Sequence, residues 1–141
     1  MNKQGTASFF IRIALGLFVG MIGYHKVFVM GSLQHAEKFF IQGFKDSWIP
    51  EWLLWLLGYT IPYVELLCGA MLIVGVFVYF NALIIGVLLL IVAYGHLLQD
   101  AFYNPVSHWL PRFTLMVALL LLYDKKDKFS LENSIQLFKS K

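Results

Sequence analysis

One carboxylate lies inside an apolar stretch that belongs in a membrane. The stretch from Pro62 to Gly75, PYVELLCGAMLIVG, carries the acid Glu65. An ionisable side chain at bilayer depth costs a few kcal/mol on insertion scales, and it usually faces the interior of a helix bundle or a wet cavity. Glu65 therefore predicts a bundle whose other helices supply its polar partners.

The composition supports a membrane location. Of the 141 residues, 60% are hydrophobic and 13% are charged, whereas a soluble chain carries about 25% charged residues. This length suits a single domain. We therefore predict an all-α fold, a polytopic membrane protein that forms one membrane domain over residues 1–141 and has the lipid bilayer as its surroundings.

Four apolar segments predict a four-transmembrane-helix bundle, since about 20 residues cross a bilayer. Pro62 is expected to kink the second helix or to divide an interfacial part from a spanning part. A short turn is expected at Tyr79-Phe80-Asn81. The predicted spans are about 8–29, 51–79, 82–99 and 107–123, followed by a cytoplasmic tail at 124–141.

The placement of the basic residues predicts the orientation. Five of the 11 Lys and Arg residues follow the last apolar segment: Lys125, Lys126, Lys128, Lys139 and Lys141. The positive-inside rule then predicts that both termini lie in the cytoplasm. The same placement explains the basic charge better than nucleic-acid binding does.

The residues between the first two spans, 31–49, are too polar to cross a membrane. Leu33, Ala36, Phe40 and Phe44 recur at helical spacing. The opposite face carries His35, Glu37, Lys38, Gln42 and Lys45. This pattern predicts an amphipathic interfacial helix that lies in the interface plane or caps the outer mouth of the bundle.

The first helix carries a face of small residues. At about 100° per residue, this face holds Arg12, Gly16, Gly20, Gly23 and Lys26, whereas His25 points to the far side. Glycines at this spacing allow a neighbouring helix to approach closely. We therefore interpret the face, together with Gly69 of the second helix, as a packing motif.

Helix rise predicts where the polar side chains meet. At about 1.5 Å per residue, Glu65, His96 and Arg112 lie at one level, roughly 17–22 Å above the inner ends of their helices. Asp100, His108 and Lys26 extend this cluster outward. Two interpretations stay open: a buried network that fixes helix packing, with Glu65 neutralised by Arg112 or Lys26, and a ligand-binding or proton-handling site.

The sequence does not support a disulfide, a thiol redox site, a haem site or a zinc site. The chain has one cysteine, Cys68, so it has neither an intrachain disulfide nor a redox-active cysteine pair. A bis-histidine haem from His25 and His96 would need imidazoles at matched depth. A zinc site from His96, Asp100 and His108 would need ligands that converge. We predict no metal site.

Two segments resemble the DoxX family of small four-span bacterial membrane proteins. They are RIALGLFVGMIGYHKVF and PYVELLCGAMLIVGVF, the second with its E-x-x-x-G. By position, Arg12, Lys26, Glu65 and Gly69 match residues that recur in the family. The resemblance covers about residues 8–123, and it implies a four-helix bundle and an association with larger, quinone-linked membrane redox complexes. It implies no catalytic residue.

Three functions follow as hypotheses, and the sequence leaves open whether the protein is an enzyme. The first is an accessory subunit of a quinone-linked redox complex, with other membrane subunits or a second copy of the chain as partners. The second is a quinone-binding oxidoreductase component, with a quinone as the candidate cofactor. In it His96 and Arg112 would donate hydrogen bonds and Glu65 would relay a proton. The third is a carrier of a lipid or small molecule.

Overall fold

The computed structural model describes residues 3–107 and 109–123, and within these ranges the chain is helical and contains no strand. The all-α prediction is therefore confirmed. His108 and the tail at 124–141 lie outside the described residues. The helices are α1 (Lys3–Tyr24), α2 (Ser32–His35), α3 (Glu51–Val74), α4 (Val78–Gln99) and α5 (Trp109–Leu122). Two π-helical segments, His25–Val29 and Ala36–Ile41, extend α1 and α2.

Three of these helices are long and apolar enough to cross a membrane. They are α1 with its π-helical extension (Lys3–Val29), α3 and α4. The helix α5 has 14 residues, which correspond to about 21 Å at the usual rise. It is therefore shorter than the roughly 30 Å hydrocarbon core. These lengths and compositions define a polytopic helical bundle.

The helices pack in a ring. Both α1 and α4 pack against α3 and α5, so α1 and α4 lie diagonally across the bundle. The core between them contains fully buried Leu15, Leu72, Ile85 and Leu119. Large apolar side chains also cover the outer surface, as expected of helices that face lipid; examples are Phe10, Phe28, Val87 and Leu121.

The turn between α3 and α4 lies earlier than the sequence predicted. Gly75 adopts a left-handed conformation with φ 82°, and the N–H of Val76 reaches back to the Met71 carbonyl at 3.0 Å. This arrangement is typical of a glycine that ends a helix, because glycine has no Cβ to oppose positive φ. The second span therefore ends at Val74, and the expected end near Tyr79 was wrong.

The side chain of Asn81 completes this turn. Its Nδ2 donates to the carbonyls of Val76 at 2.9 Å and Phe77 at 3.1 Å. Asn81 therefore lies in the first turn of α4, and the expected loop at Tyr79-Phe80-Asn81 is helical. A buried amide satisfies the carbonyls that a tight turn exposes inside the membrane.

Candidate functional site

Glycines bring α1 and α3 into backbone contact. A Cβ atom added to Gly69 would lie 2.4 Å from the Cα of Gly20, and one added to Gly23 would lie 2.4 Å from the Leu66 nitrogen. A Cβ on Gly16 would lie 2.9 Å from the Gly69 carbonyl oxygen. These approaches leave no room for side chains, and they fix the register of α1 against α3.

This register places Arg12 at the end of α3. The guanidinium is buried, with 1% of the residue exposed. Its Nη1 donates to the carbonyls of Leu72 and, at 2.9 Å, of Ile73. The last carbonyls of a helix have no partner within the helix and carry the negative end of its dipole. Arg12 thus satisfies two of them and stabilises the C-terminus of α3.

The same register pairs the membrane carboxylate. Lys26 Nζ lies 2.8 Å from Glu65 Oε2. The Glu65 side chain is 2% exposed, whereas that of Lys26 is 22% exposed. Lys26, one of the two partners considered from the sequence, therefore makes a direct ion pair with Glu65. The pairing removes the net charge that a lone carboxylate or ammonium would carry at this depth.

Two other residues of the predicted cluster, Arg112 and His96, connect to this ion pair. Arg112 is close enough to Glu65 and to Tyr103 for electrostatic interaction. Tyr103 stacks on His96 with ring centroids 4.4 Å apart and planes 7° apart. A connected set therefore runs from Lys26 through Glu65 and Arg112 to Tyr103 and His96.

One predicted member of the cluster, Asp100, is not brought into this set. Asp100 follows the last residue of α4 and is exposed, and its Oδ1 accepts the N–H of Phe102 at 2.9 Å. The carboxylate therefore serves the loop after α4. His108 lies outside the described residues.

Two residues of the interfacial helix were assigned to the wrong face, whereas Glu37, Lys38, Gln42 and Lys45 are exposed as predicted. His35, expected on the solvent side, is 4% exposed, whereas Leu33, expected on the apolar side, is 66% exposed. The regular helix becomes π-helical at Ala36, so the angle between successive side chains departs from the 100° used for the prediction. Ala36 is fully buried, as the apolar pattern requires.

Pro62 explains why His35 is buried. Proline has no N–H, so the carbonyl four residues earlier, that of Gly58, loses its partner within α3. The His35 Nδ1 lies 2.9 Å from this oxygen and donates to it. In membrane helices, neighbouring groups commonly satisfy the carbonyl that a proline frees. The chain of α3 continues through Pro62 as one helix, so the predicted division of this span does not occur.

Gly58 also allows the backbone of the interfacial helix to approach. A Cβ on Gly58 would lie 2.8 Å from the Cα of Ala36. Beside this contact, Ser32 Oγ and Tyr63 Oη are 2.9 Å apart and share a hydrogen bond. The first half of the helix between α1 and α3 is thus attached to α3 by close packing and by hydrogen bonds.

The other end of this stretch is attached to α4. Gln99 Nε2 donates to the Gly43 carbonyl at 3.2 Å. A Cβ on Gly95 would lie 3.4 Å from the Phe44 ring, an ordinary packing distance. We call residues 32–44 the interfacial segment. It bridges α3 and α4 at the end of the bundle that lies opposite the Gly75 turn.

A cavity of about 500 Å³ lies beneath the interfacial segment. We call it the capped cavity. Its walls are mainly apolar and come from α1, the interfacial segment, α3 and α4, and include Met21, Ile22, Phe40, Ile61, Ile91 and Val92. Its polar lining consists of His25, Lys26, His35, His96 and Gln99. Apolar walls with a few polar groups are typical of small-molecule sites, and the volume is within their usual range.

His25 belongs to this lining although the helical wheel placed it on the far side of α1. The π-helical segment His25–Val29 begins at this residue, so the regular periodicity no longer applies there. His25 and Lys26 both line the cavity as a result.

Burial changes the acid–base chemistry of His35. Loss of solvent lowers the pKa of its imidazole below the ordinary value, and the charge of Lys26 lowers it further. The hydrogen bond to the Gly58 carbonyl raises the pKa, but its effect is smaller than that of burial. The balance favours the neutral ring at neutral pH.

The described residues contain no group of side chains suited to a metal ion. Within residues 3–107 and 109–123, no three His, Cys, Asp or Glu side chains are grouped so that they could hold a metal ion. Cys68 is buried in the core cluster.

Some of the cavity residues were not found from the sequence. His35 and Gln99 were absent from the predicted site, and His25 was considered there only as a haem ligand. One signal was available for His35: a proline within a membrane helix frees the carbonyl four residues earlier, and a glycine at that position admits a donor from outside the helix.

The fold and the polar interior define the class of a polytopic α-helical membrane protein with a capped cavity. The family model that matches the chain is DoxX, over residues 7–97. This match covers more than half of the chain, so the protein belongs to the DoxX family, as the resemblance predicted. Neither a curated protein nor a solved structure matches the chain.

Proposed function

We propose that this DoxX-family protein binds a quinone in the capped cavity and acts as an accessory membrane subunit of a quinone-linked redox complex. The capped cavity is the observation that carries this proposal. A quinone combines an apolar tail with a compact headgroup that carries two carbonyl acceptors. The cavity offers mainly apolar walls together with the ammonium of Lys26 and the imidazole of His96.

The charge balance of the cavity favours an uncharged headgroup. Lys26 is the cation in the lining, and Glu65 already pairs with it at 2.8 Å. An anionic ligand would compete with Glu65 for Lys26 and would weaken a buried ion pair, which is costly in a low dielectric. A neutral carbonyl can accept one of the remaining ammonium hydrogens without disturbing the ion pair.

The predicted roles of three residues are refined accordingly. His96 and Lys26 donate to the headgroup, and Glu65 is placed to exchange a proton through Lys26. Arg112, whose charge interacts with Glu65, supplies a second cation near this carboxylate. The positive-inside rule favours cytoplasmic termini in a bacterial inner membrane, and with that orientation the cavity would lie in the outer leaflet.

A binding measurement tests the quinone site. The purified protein in lipid nanodiscs is titrated with decylubiquinone and with a short-chain menaquinone. We expect saturable binding that Val92→Phe abolishes, because Val92 lines the cavity. The matched control is Val87→Phe on the same helix, where the side chain is 60% exposed on the outer surface. Equal binding by both variants, or retention of phospholipid in place of quinone, would contradict the proposal.

The accessory role has a separate test. Affinity purification from native membranes in a mild detergent should recover further membrane subunits together with this chain. A lone 16.2 kDa band, or a homo-oligomer of it, would count against an accessory role and would leave the quinone site to be judged by the titration.

A further inference from the structure

His35 reaches the capped cavity with its hydrogen-bond donor already used. The carbonyl of Gly58 can only accept a hydrogen bond, so the His35 nitrogen 2.9 Å away, Nδ1, carries the proton. A neutral imidazole has one N–H, and its second nitrogen is then an acceptor. The tautomer is thus set by the carbonyl that Pro62 leaves free, and Nε2 is left as a hydrogen-bond acceptor.

The surroundings of the ring keep it in this form. The rings of Phe39 and Phe40 lie 5.3 and 5.6 Å from the imidazole, centroid to centroid. Burial and the nearby ammonium of Lys26 both oppose protonation. Nε2 therefore stays an acceptor at neutral pH, because a second proton would add a positive charge beside an existing one.

The polar end of the cavity thus presents an acceptor as well as a donor. Lys26 has three N–H donors and gives one to Glu65. His35 also lines the cavity and requires a donor from the ligand. A quinone headgroup carries acceptors alone, and it would leave Nε2 without a partner. A quinol headgroup carries hydroxyl groups, which donate and accept.

We infer that the capped cavity binds the reduced quinol in preference to the oxidised quinone, with His35 Nε2 accepting a hydrogen bond from a quinol hydroxyl. This inference rests on the proposed quinone-class site and assigns its redox preference. His35 is a specificity-determining residue in this arrangement. Its position is fixed by Gly58 and Pro62, and its acceptor is what distinguishes the two redox forms.

The experiment compares anaerobic titrations of the protein in nanodiscs with decylubiquinol and with decylubiquinone. One additional hydrogen bond contributes about 0.5–1.5 kcal/mol, so the quinol should bind roughly two- to tenfold more tightly. His35→Asn tests the residue, because the asparagine amide can still donate to Gly58 but offers no acceptor at the position of Nε2. This variant should bind the two forms equally, because the quinol then loses its additional hydrogen bond. Gln34→Asn is the control, since Gln34 is exposed on the same segment.

A ligand analogue tests the wild-type protein without any substitution. The dimethyl ether of decylubiquinol lacks both hydroxyl donors and should bind no better than the quinone. Equal affinities for quinol and quinone, or a quinol preference that survives in His35→Asn, would overturn the inference while the proposed site stands. Absence of binding by both redox forms would overturn the proposed site itself.

Discussion

Replacing Gly69 by alanine should separate α1 from α3. The added Cβ would lie 2.4 Å from the Cα and 2.5 Å from the nitrogen of Gly20, and 2.8 Å from the Gly16 carbonyl oxygen. These are backbone atoms, which cannot rotate out of the way as a side chain can. The helices must therefore move apart by about 1 Å to restore ordinary contacts of about 3.5 Å.

The expected cost combines two opposing effects. Overpacking of a tight contact costs about 1–3 kcal/mol, whereas replacing glycine by alanine within a helix gains about 0.5–1 kcal/mol. The first effect wins for Gly69. The separation would also lengthen the Lys26–Glu65 contact, which bridges the same two helices. We expect Gly69→Ala to lower the free energy of unfolding by up to about 2.5 kcal/mol.

Gly20 provides a matched control in the same contact. A Cβ on Gly20 would lie 3.5 Å from the Cα of Gly69, which is an ordinary van der Waals distance. Gly20→Ala should therefore be neutral or slightly stabilising. Both variants can be compared by reversible unfolding in mixed micelles with increasing sodium dodecyl sulfate. Equal destabilisation by the two substitutions would refute the packing described for this helix pair.

Three further perturbations test the polar interior. Glu65→Leu should misassemble or destabilise the protein, by less than the roughly 3–5 kcal/mol of a fully buried pair because Lys26 is partly exposed. The exposed control Glu51→Leu should be nearly silent. Equal tolerance of the two substitutions would contradict this prediction. Arg12→Leu should lower the free energy of unfolding by about 1–3 kcal/mol, more than Arg12→Lys does. His35 has a lowered pKa because it is buried. Its contribution to stability should therefore be complete above about pH 6.5 and should fall as the pH drops below that value. Thermal unfolding of His35→Asn should lack this pH dependence.

The helical architecture could be predicted because a membrane imposes few solutions. Apolar length fixes the number of long helices, and glycine spacing indicates the face of α1 that meets its neighbour. The end of α3 was misplaced because both sides of the true turn are apolar, so hydropathy alone does not locate it. Gly75 was the available signal, since glycine commonly ends a helix in the left-handed conformation.

The candidate site was predictable only in part. Helix rise put Glu65 at one level with His96 and Arg112 and put Lys26 farther outward, whereas the direct contact of Glu65 in the structure is with Lys26. The capped cavity was not predictable, because two residues of its polar lining, His25 and Lys26, lie in a π-helical segment. A helical wheel assumes a constant angle per residue, and it fails at His25, where a π-helical segment begins, and at His35, which directly precedes one.

Pro62 connects the membrane helix to the cavity, and its replacement would test this connection. Pro62→Ala restores an N–H that can bond to the Gly58 carbonyl within α3. His35 would then share this acceptor with the helix, since a carbonyl has two lone pairs. We expect weaker docking of the interfacial segment, seen as faster amide hydrogen exchange over residues 32–41 and weaker quinol binding. Exchange in α4 should stay unchanged.

A control separates this effect from the general loss of a buried side chain. Ile61→Ala removes apolar volume at the adjacent buried position but leaves the Gly58 carbonyl without a helical donor. It should therefore leave His35 docked and the exchange rates over residues 32–41 close to those of the wild type. Equal acceleration in both variants would show that packing attaches the segment to α3. Acceleration in Pro62→Ala alone would show that the missing N–H of one proline attaches it through His35.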